Sequence, residues 1–251
     1  MANKFFLQAK SIAELLWYEE RKTCLLCGKQ ASTSLCQDCR QLYFRPEQRR
    51  CLSCGKLIEG EADRCQDCRD GNGPKFLSKV TALGHYEGAW KQCIHNIKYK
   101  GQPYLLIGLA EYLTSWAVKQ LPPPDSIVPV PLHPNRLAQR GFNQAEVLAS
   151  VLAGCLGIKL KDILCRVKDT TPQSALGRQE RLVNLRCAFS LKPGIQIKEE
   201  VIWLVDDVVT TAATIGECAA VLKESGAQEV FAFCLGAGRE SSNNPDTASI
   251  L

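Results

Sequence analysis

The sequence lacks the features that mark membrane proteins and secreted proteins. No run approaches the roughly 18 consecutive apolar residues of a membrane span. The first residues, MANKFFLQAK, do not place an apolar core after a basic region, so a secretory signal is not expected. We therefore expect a cytoplasmic protein that does not insert into a membrane.

A strong excess of charge of one sign is missing as well. The formal net charge of +5 divides into +2 over residues 1–74 and +3 over the remaining residues. So even a distribution does not by itself predict nucleic-acid binding. The 251 residues suffice for one well-cored domain and a small accessory module, and 45% hydrophobic and 23% charged residues are ordinary for a globular protein.

Cysteine, in contrast, is plentiful and regularly spaced. Eight of the 14 cysteines form four CxxC pairs within 45 residues. Such spacing is typical of short ribbons that each hold one Zn²⁺ through four thiolates, whereas a reducing cytoplasm disfavours disulfides. Sequential and cross-braced pairing both remain open at this point. The sequence predicts two structural zinc ions, bound by Cys24, Cys27, Cys36, Cys39, Cys51, Cys54, Cys65 and Cys68.

The motif CxxCGK occurs twice, which indicates two copies of one unit. Gly28 and Gly55 follow the second cysteine of their pairs, where a knuckle turn needs a residue that tolerates positive φ. About 50 residues cannot bury a sufficient core alone, so the metals must supply folding free energy. We predict an N-terminal helix over 1–23, a double zinc ribbon over 24–74, a larger domain over 75–236 and a disordered tail over 237–251. Whether the ribbons bind DNA or protein stays open.

Beyond residue 74, apolar strands alternate with amphipathic helices. Strands are predicted at 77–86, 126–134, 201–206 and 229–235, and helices at 88–100, 104–119, 143–156 and 213–225. Near-continuous apolar strands separated by helices predict an α/β fold with a parallel sheet covered on both faces. Ligands of such sheets bind beyond the carboxyl ends of the strands.

The stretch VIWLVDDVVTTAAT, residues 201–214, places two carboxylates and three threonines at such an end. Asp206 and Asp207 repel each other and lose solvation there, a cost that hydroxyl groups, a cation or metal-bound waters can offset. The following turn opens a helix, so its N–H groups and threonine hydroxyls suit a phosphate. Carboxylates can bind the hydroxyl groups of a sugar, and here they lie beside a pocket that suits a phosphate. The sequence therefore predicts a sugar phosphate ligand.

Three motifs carry a family resemblance. Residues 201–214 resemble the phosphoribosyl diphosphate (PRPP) signature of type I phosphoribosyltransferases. The segments VPVPLHPNRLAQRGFNQAEVLA (128–149) and TPQSALGRQERLVNL (171–185) are similar to segments of the ComF family of competence proteins, which is amidophosphoribosyltransferase-like. Together with the zinc ribbons, the resemblance covers nearly the whole chain.

The resemblance implies a role for each matching residue. Asp206 and Asp207 are expected to bind the ribose hydroxyls of PRPP, directly or through waters of Mg²⁺. A mobile hood over 166–186 is expected to bring Gln173, Arg178 and Arg181 to the ligand. The 5′-phosphate is assigned to Thr210, Thr211, Ala212, Ala213 and Thr214, and the diphosphate to a loop of Pro131, Leu132 and His133 followed by Arg136 and Arg140.

Two positions leave alternatives. His133 is either an acid or ligand donor or simply a turn residue between prolines. Ala212 stands where the loop normally has glycine, and it suits the loop if its φ is negative and its Cβ points away. Two functions follow from the resemblance: a competence factor for uptake or processing of transforming single-stranded DNA, with that DNA and other competence proteins as partners, or an active phosphoribosyltransferase in nucleotide salvage or biosynthesis.

Overall fold

A five-stranded parallel sheet forms the centre of the molecule. The computed structural model describes residues 23–45, 48–58, 61–168, 188–210 and 212–238. The sheet has the order β1-β7-β6-β2-β3, and all of its described pairings are parallel. Its strands are β1 (Lys79–His85), β2 (Ser126–Pro129), β3 (Lys159–Leu160), β6 (Val201–Val209) and β7 (Glu229–Ala237). A separate antiparallel pair is formed by β4 (Leu164–Arg166) and β5 (Phe189–Leu191).

Helices cover both faces of this sheet, so the predicted fold class is confirmed. Two short helices, α1 (Gln37–Tyr43) and α2 (Gln66–Arg69), belong to the cysteine-rich module. None of the described helices has the length and apolar composition of a membrane span. The remaining helices are α3 (Gly88–Tyr99), α4 (Tyr104–Gly108), α5 (Ala110–Gln120), α6 (Pro134–Arg140), α7 (Gln144–Leu156) and α8 (Ala213–Glu224).

Several predicted boundaries need correction. The single helix predicted over 104–119 is two helices that meet at Leu109, just after Gly108, a residue with low helix propensity. The strand predicted over 126–134 ends at Pro129, and after one further bond from Val130 to β6 the ladder stops at Pro131, which has no N–H to donate. Strand β6 runs on to Val209, so the two acids lie within it rather than after it. Residues 1–22 of the predicted N-terminal helix, most of the hood and the tail beyond residue 238 lie outside the described residues. The tail predicted from residue 237 starts later, because Ala237 is the buried last residue of β7.

Strand alternation divides the core into two layers. On one face of β6, Ile202 and Leu204 pack with α8 and the β4–β5 pair. On the other face, Trp203 and Val205 pack with α3, α5 and α7. Both layers are apolar over most of the strand length, which explains why the strand sequences read as continuous apolar runs.

Each cysteine-rich ribbon joins one of these layers. Buried Cys51, Cys54, Cys65 and Cys68 belong to the layer on the α8 side, and Cys24 and Cys39 to the layer on the α3 side. Phe44, just after α1, lies so close to Gly84 of β1 that a Cβ there would stand 2.7 Å from its ring. The Tyr43 hydroxyl accepts a 3.0 Å hydrogen bond from the Ala89 amide at the start of α3. The ribbons are therefore packed against the sheet domain. That the chain divides into two folding units near residue 74 stays a prediction.

Candidate functional site

The eight ribbon cysteines form two clusters in sequential pairing. Within each cluster the four Sγ atoms lie within 4.8 Å of one another, and Cys27–Cys36 and Cys54–Cys65 each approach to 3.6 Å. The cysteines that the structure describes, these eight included, are free thiols. Four convergent sulfurs match the donor set of a structural zinc site. The clusters are Cys24, Cys27, Cys36 and Cys39, followed by Cys51, Cys54, Cys65 and Cys68.

The local backbone prepares these sulfurs for a metal ion. Gly28 and Gly55 have φ values of 70° and 71°, as the repeated CxxCGK motif predicts. Burial raises the pKa of the Cys24 thiol, but hydrogen bonds from the backbone of Cys36, Cys27 and Leu26 outweigh burial and lower it to about 6. The thiolate is the form that binds zinc, and the four convergent sulfurs of each cluster are the donor set that the predicted ions need.

The two acids of β6 point to opposite faces of the sheet and have different surroundings. Asp207 is buried, and its carboxylate is bound on both oxygens. Lys98 Nζ of α3 lies 2.8 Å from Oδ1, and Gln144 Nε2 of α7 donates to Oδ2. Desolvation alone lowers the pKa of Lys98, but the Asp207 charge outweighs it and raises that pKa. Asp207 is thus anchored by the protein itself.

Asp206 is the less buried of the two acids. Its Oδ1 accepts a 2.8 Å hydrogen bond from the Asp207 amide. Desolvation, followed by the charge of Asp207, raises the pKa of Asp206 to about 7. A carboxyl group poised near neutral pH at the carboxyl edge of a parallel sheet is a candidate functional group.

The loop after β6 leads directly into α8, whose first turn lies at the same edge of the sheet. Thr210 is partly exposed, α8 begins at Ala213, and Thr214 lies in its first turn. Thr211 lies outside the described residues. The arrangement brings the predicted phosphate loop and Asp206 together at one edge.

Ala212 adopts φ 56° and ψ 11°, the left-handed conformation. The condition of a negative φ is therefore not met, and the loop keeps the glycine-type backbone with an alanine in it. Its side chain is buried, 4% exposed, so the methyl group is accommodated by packing.

Replacing Ala212 by glycine is expected to stabilise the protein by about 0.5–1 kcal/mol, since a left-handed Ala is strained by about 1–2 kcal/mol and glycine is not. Thermal unfolding measures this effect. The matched control is Ala138→Gly in exposed helix α6, where the same chemical change should cost about 1 kcal/mol. A loss of stability in both variants would contradict the assigned backbone strain.

The loop after β2 lies next to β6 in the sheet. The Val130 amide donates to the Val205 carbonyl at 2.9 Å, and Pro131 is buried. His133 is the N-cap of α6, where Nδ1 accepts a hydrogen bond from the Asn135 amide at 3.3 Å. That contact gives His133 the turn role weighed above; its role toward a ligand stays a prediction, as do those of Leu132 and Arg136.

Arg140, at the end of α6, is held from two sides. Its Nη1 donates to Gln144 Oε1 at 2.6 Å, and its guanidinium lies 4.9 Å from the centre of the Tyr99 ring. The predicted hood residues Gln173, Arg178 and Arg181 lie outside the described residues.

Sequence reasoning missed three residues of this site. Lys98 and Gln144 bind Asp207, and buried Arg166 acts electrostatically on Asp206. Gln144 stood within the quoted RGFNQ segment, where an amide after the helix N-cap was a usable signal. Lys98 had no such signal, because it is one lysine on an amphipathic helix far from Asp207 in sequence.

Similarity to solved structures is low. A purine phosphoribosyltransferase from Pyrococcus horikoshii has a TM-score of 0.32 and 22% identity, covering 56% of this chain and 75% of that chain. An adenine phosphoribosyltransferase from Leishmania tarentolae has a TM-score of 0.36 and 15% identity, covering 57% and 74%. None of the known protein family models matches the chain.

Similarity to characterised sequences is higher and spans most of the chain. Competence protein F of Haemophilus influenzae is 34% identical over 208 residues, or 80% of this chain and 89% of that protein. Competence protein ComFC of Streptococcus pneumoniae is 30% identical over 84% of this chain and 98% of that protein. DNA utilization protein YhgH of Salmonella typhi is 32% identical over 84% and 88%. With this identity, this coverage and both four-cysteine clusters, the chain belongs to the ComF family of competence proteins.

Proposed function

We propose that this protein acts in natural competence, in the uptake or processing of transforming single-stranded DNA in the cytoplasm, and that its site binds PRPP with Mg²⁺. Its relatives carry the names competence protein and DNA utilization protein. The ligand proposal rests on the position of one acid beside the start of one helix. The carboxylate of Asp206 and the start of α8 lie at the same edge of the sheet.

Each part of PRPP has a chemical counterpart in this arrangement. The Asp206 carboxylate accepts hydrogen bonds from vicinal ribose hydroxyls, as ionised carboxylates do well. The amides of the loop and first turn of α8, with Thr210 and Thr214, suit the 5′-phosphate. The loop over 131–133 and the two arginines of α6, Arg136 and Arg140, suit the diphosphate, since guanidinium groups bind phosphate oxygens in pairs.

Magnesium fits the same donor set. Asp206 offers oxygen atoms, the ligands that Mg²⁺ prefers, and the remaining positions suit waters and diphosphate oxygens. When bound, the ion would neutralise charge on the diphosphate. The protein residues orient the ribose and hold the phosphate groups.

An active phosphoribosyltransferase in nucleotide salvage or biosynthesis is the second candidate. The observation that favours it is the left-handed backbone at Ala212, which keeps the loop in the conformation that a glycine would adopt. Such an enzyme would release pyrophosphate from PRPP as a nucleobase or amine attacks C1 of the ribose.

Calorimetry with PRPP and Mg²⁺ tests the ligand proposal. We expect the wild-type protein to bind and Asp206→Asn to bind about 100-fold more weakly, because hydrogen bonds to a charged acceptor contribute roughly 1.5–3 kcal/mol each. The control is Asp162→Asn, since Asp162 forms an exposed ion pair with Lys192. Equal binding by wild type and Asp206→Asn would rule out the assigned site.

Two further measurements separate the candidate functions. Pyrophosphate release across a panel of bases and amines identifies an enzyme, and its absence leaves the competence function. Deletion of the gene should abolish transformation while DNA still reaches the cell surface, and an unchanged transformation frequency would exclude the competence role.

A further inference from the structure

Four elements of the fold are joined in a closed ring of side-chain contacts. From α3, Lys98 binds Asp207 of β6 at 2.8 Å. Asp207 accepts a hydrogen bond from Gln144 of α7, and Gln144 accepts one of 2.6 Å from Arg140 of α6. The Arg140 guanidinium then returns to α3 by lying over the ring of Tyr99, the neighbour of Lys98.

We propose that Lys98 and Gln144 are positioning residues that fix Arg140, through Asp207, for a diphosphate group and so make the site prefer PRPP to ribose 5-phosphate. This inference rests on the function proposed above. It gives the two acids different roles: Asp206 binds the ribose, and Asp207 helps to position Arg140.

Gln144 is suited to this link because of its chemistry. A neutral amide donates through nitrogen to a carboxylate and accepts through oxygen from a guanidinium at the same time. A glutamate would repel Asp207, and an apolar side chain would leave Arg140 without this partner. Gln144 is 5% exposed, so water does not readily replace it.

The backbone beside Gln144 is fixed as well. The neighbouring Asn143 caps α7 by accepting from the Ala145 amide at 3.1 Å, and its own amide nitrogen donates to the Val130 carbonyl at 3.0 Å. Val130 directly precedes the loop over 131–133. The start of α7 is thereby tied both to this loop and to Asp207, so the arginine and the loop share one support.

Stability alone does not account for the ion pair in this ring. Lys98 and Asp207 have side chains that are only 16% and 8% exposed. A buried pair of this kind is often replaceable by apolar residues without loss of stability. A role in ligand selection predicts a result that a scaffold role does not, namely a loss confined to the ligand that carries a diphosphate.

The test compares PRPP with ribose 5-phosphate, both with Mg²⁺, by calorimetry on the full-length protein. In Gln144→Leu and in Lys98→Met we expect PRPP affinity to fall about 10-fold or more, and ribose 5-phosphate affinity to stay within about 2-fold. Lys192→Met removes an exposed lysine from its ion pair and should change neither. Where Lys98→Met alone does not fold, Lys98→Met combined with Asp207→Leu removes both buried charges and should show the same selective loss.

A double-mutant cycle adds a readout that a scaffold role would not move. Arg140→Gln should lose the same PRPP preference. Adding Gln144→Leu to it should cause little further loss, because both changes remove the same interaction, that of Arg140 with the diphosphate. Equal weakening of both ligands, unchanged PRPP affinity, or additive losses would overturn the inference while leaving the proposed function intact. Wild-type protein that binds neither ligand would instead overturn the proposed function and this inference with it.

Discussion

Removal of zinc from the two four-cysteine clusters is expected to unfold the whole chain, not just residues 24–74. The second cluster lies in the same apolar layer as α8, and the first lies in the layer of α3. Binding free energies of structural zinc sites are about 10–16 kcal/mol, which equals or exceeds the total stability of about 5–15 kcal/mol of a typical protein. Loss of both ions therefore removes more free energy than the fold has in reserve.

Circular dichroism and thermal unfolding with and without a strong chelator measure this result. The protein as isolated should contain two zinc ions per chain, and chelation should abolish the cooperative transition of the sheet. Cys51→Ser should do the same, since Cys51 is 1% exposed within its cluster. Cys155→Ser is the control, because Cys155 is exposed and outside both clusters. A chelated chain with an unchanged unfolding temperature would show that the ribbons are independent of the sheet.

Asp206→Asn is expected to stabilise the protein at pH 8 while it weakens PRPP binding about 100-fold. Desolvation and the neighbouring Asp207 raise the pKa of Asp206 from 3.8 to about 7. Between these two values the folded state binds more protons than the unfolded state, so this group makes stability fall as pH rises from about 4 to about 7. Above pH 7 the charged carboxylate costs the fold on the order of 4 kcal/mol.

Asparagine does not ionise, so the variant escapes that cost. The unfolding temperature should rise by about 10 °C relative to wild type at pH 8 and by little at pH 4. Thermal unfolding across this pH range measures the difference. An advantage that does not grow with pH would refute the assigned desolvation of Asp206.

The neighbouring position supplies a control of opposite sign. Asp207→Asn leaves the charge of Lys98 buried without its counter-ion, and breaking one partner of a buried pair costs about 3–5 kcal/mol. The same chemical change, one residue apart, should therefore stabilise at 206 and destabilise at 207. Equal effects at both positions would mean that the two acids share one environment.

The sequence was most informative where spacing and chemistry agree. The CxxC pairs and their glycines predicted both four-cysteine clusters, and apolar runs predicted the central strands, because these signals are local. Period-two alternation within β6 also implies that Asp206 and Asp207 face opposite ways. The shared ribose role that the resemblance implies for them stays a prediction.

Contacts between residues far apart in the chain could not be predicted from the sequence. Lys98 meets Asp207 because α3 packs on the face of β6 that carries Trp203 and Val205. No local sequence pattern indicates a contact between two residues so far apart in the chain. The sequence leaves the backbone at Ala212 open for a related reason, because surrounding packing overrides the preference of alanine for negative φ.

The strand order has a consequence for folding during synthesis. Within the described sheet, β1 pairs with β7, the last strand of the domain, although β1 directly follows the ribbons in sequence. The ribbons leave the ribosome before the strands of the sheet and can take up metal at once, while the surface that covers Phe44 and Cys54 stays incomplete until β7 emerges. Metal capture is thus early and local, whereas closure of the sheet is late and depends on contacts distant in sequence, which makes sheet closure the slow step and the nascent chain the species most exposed to aggregation.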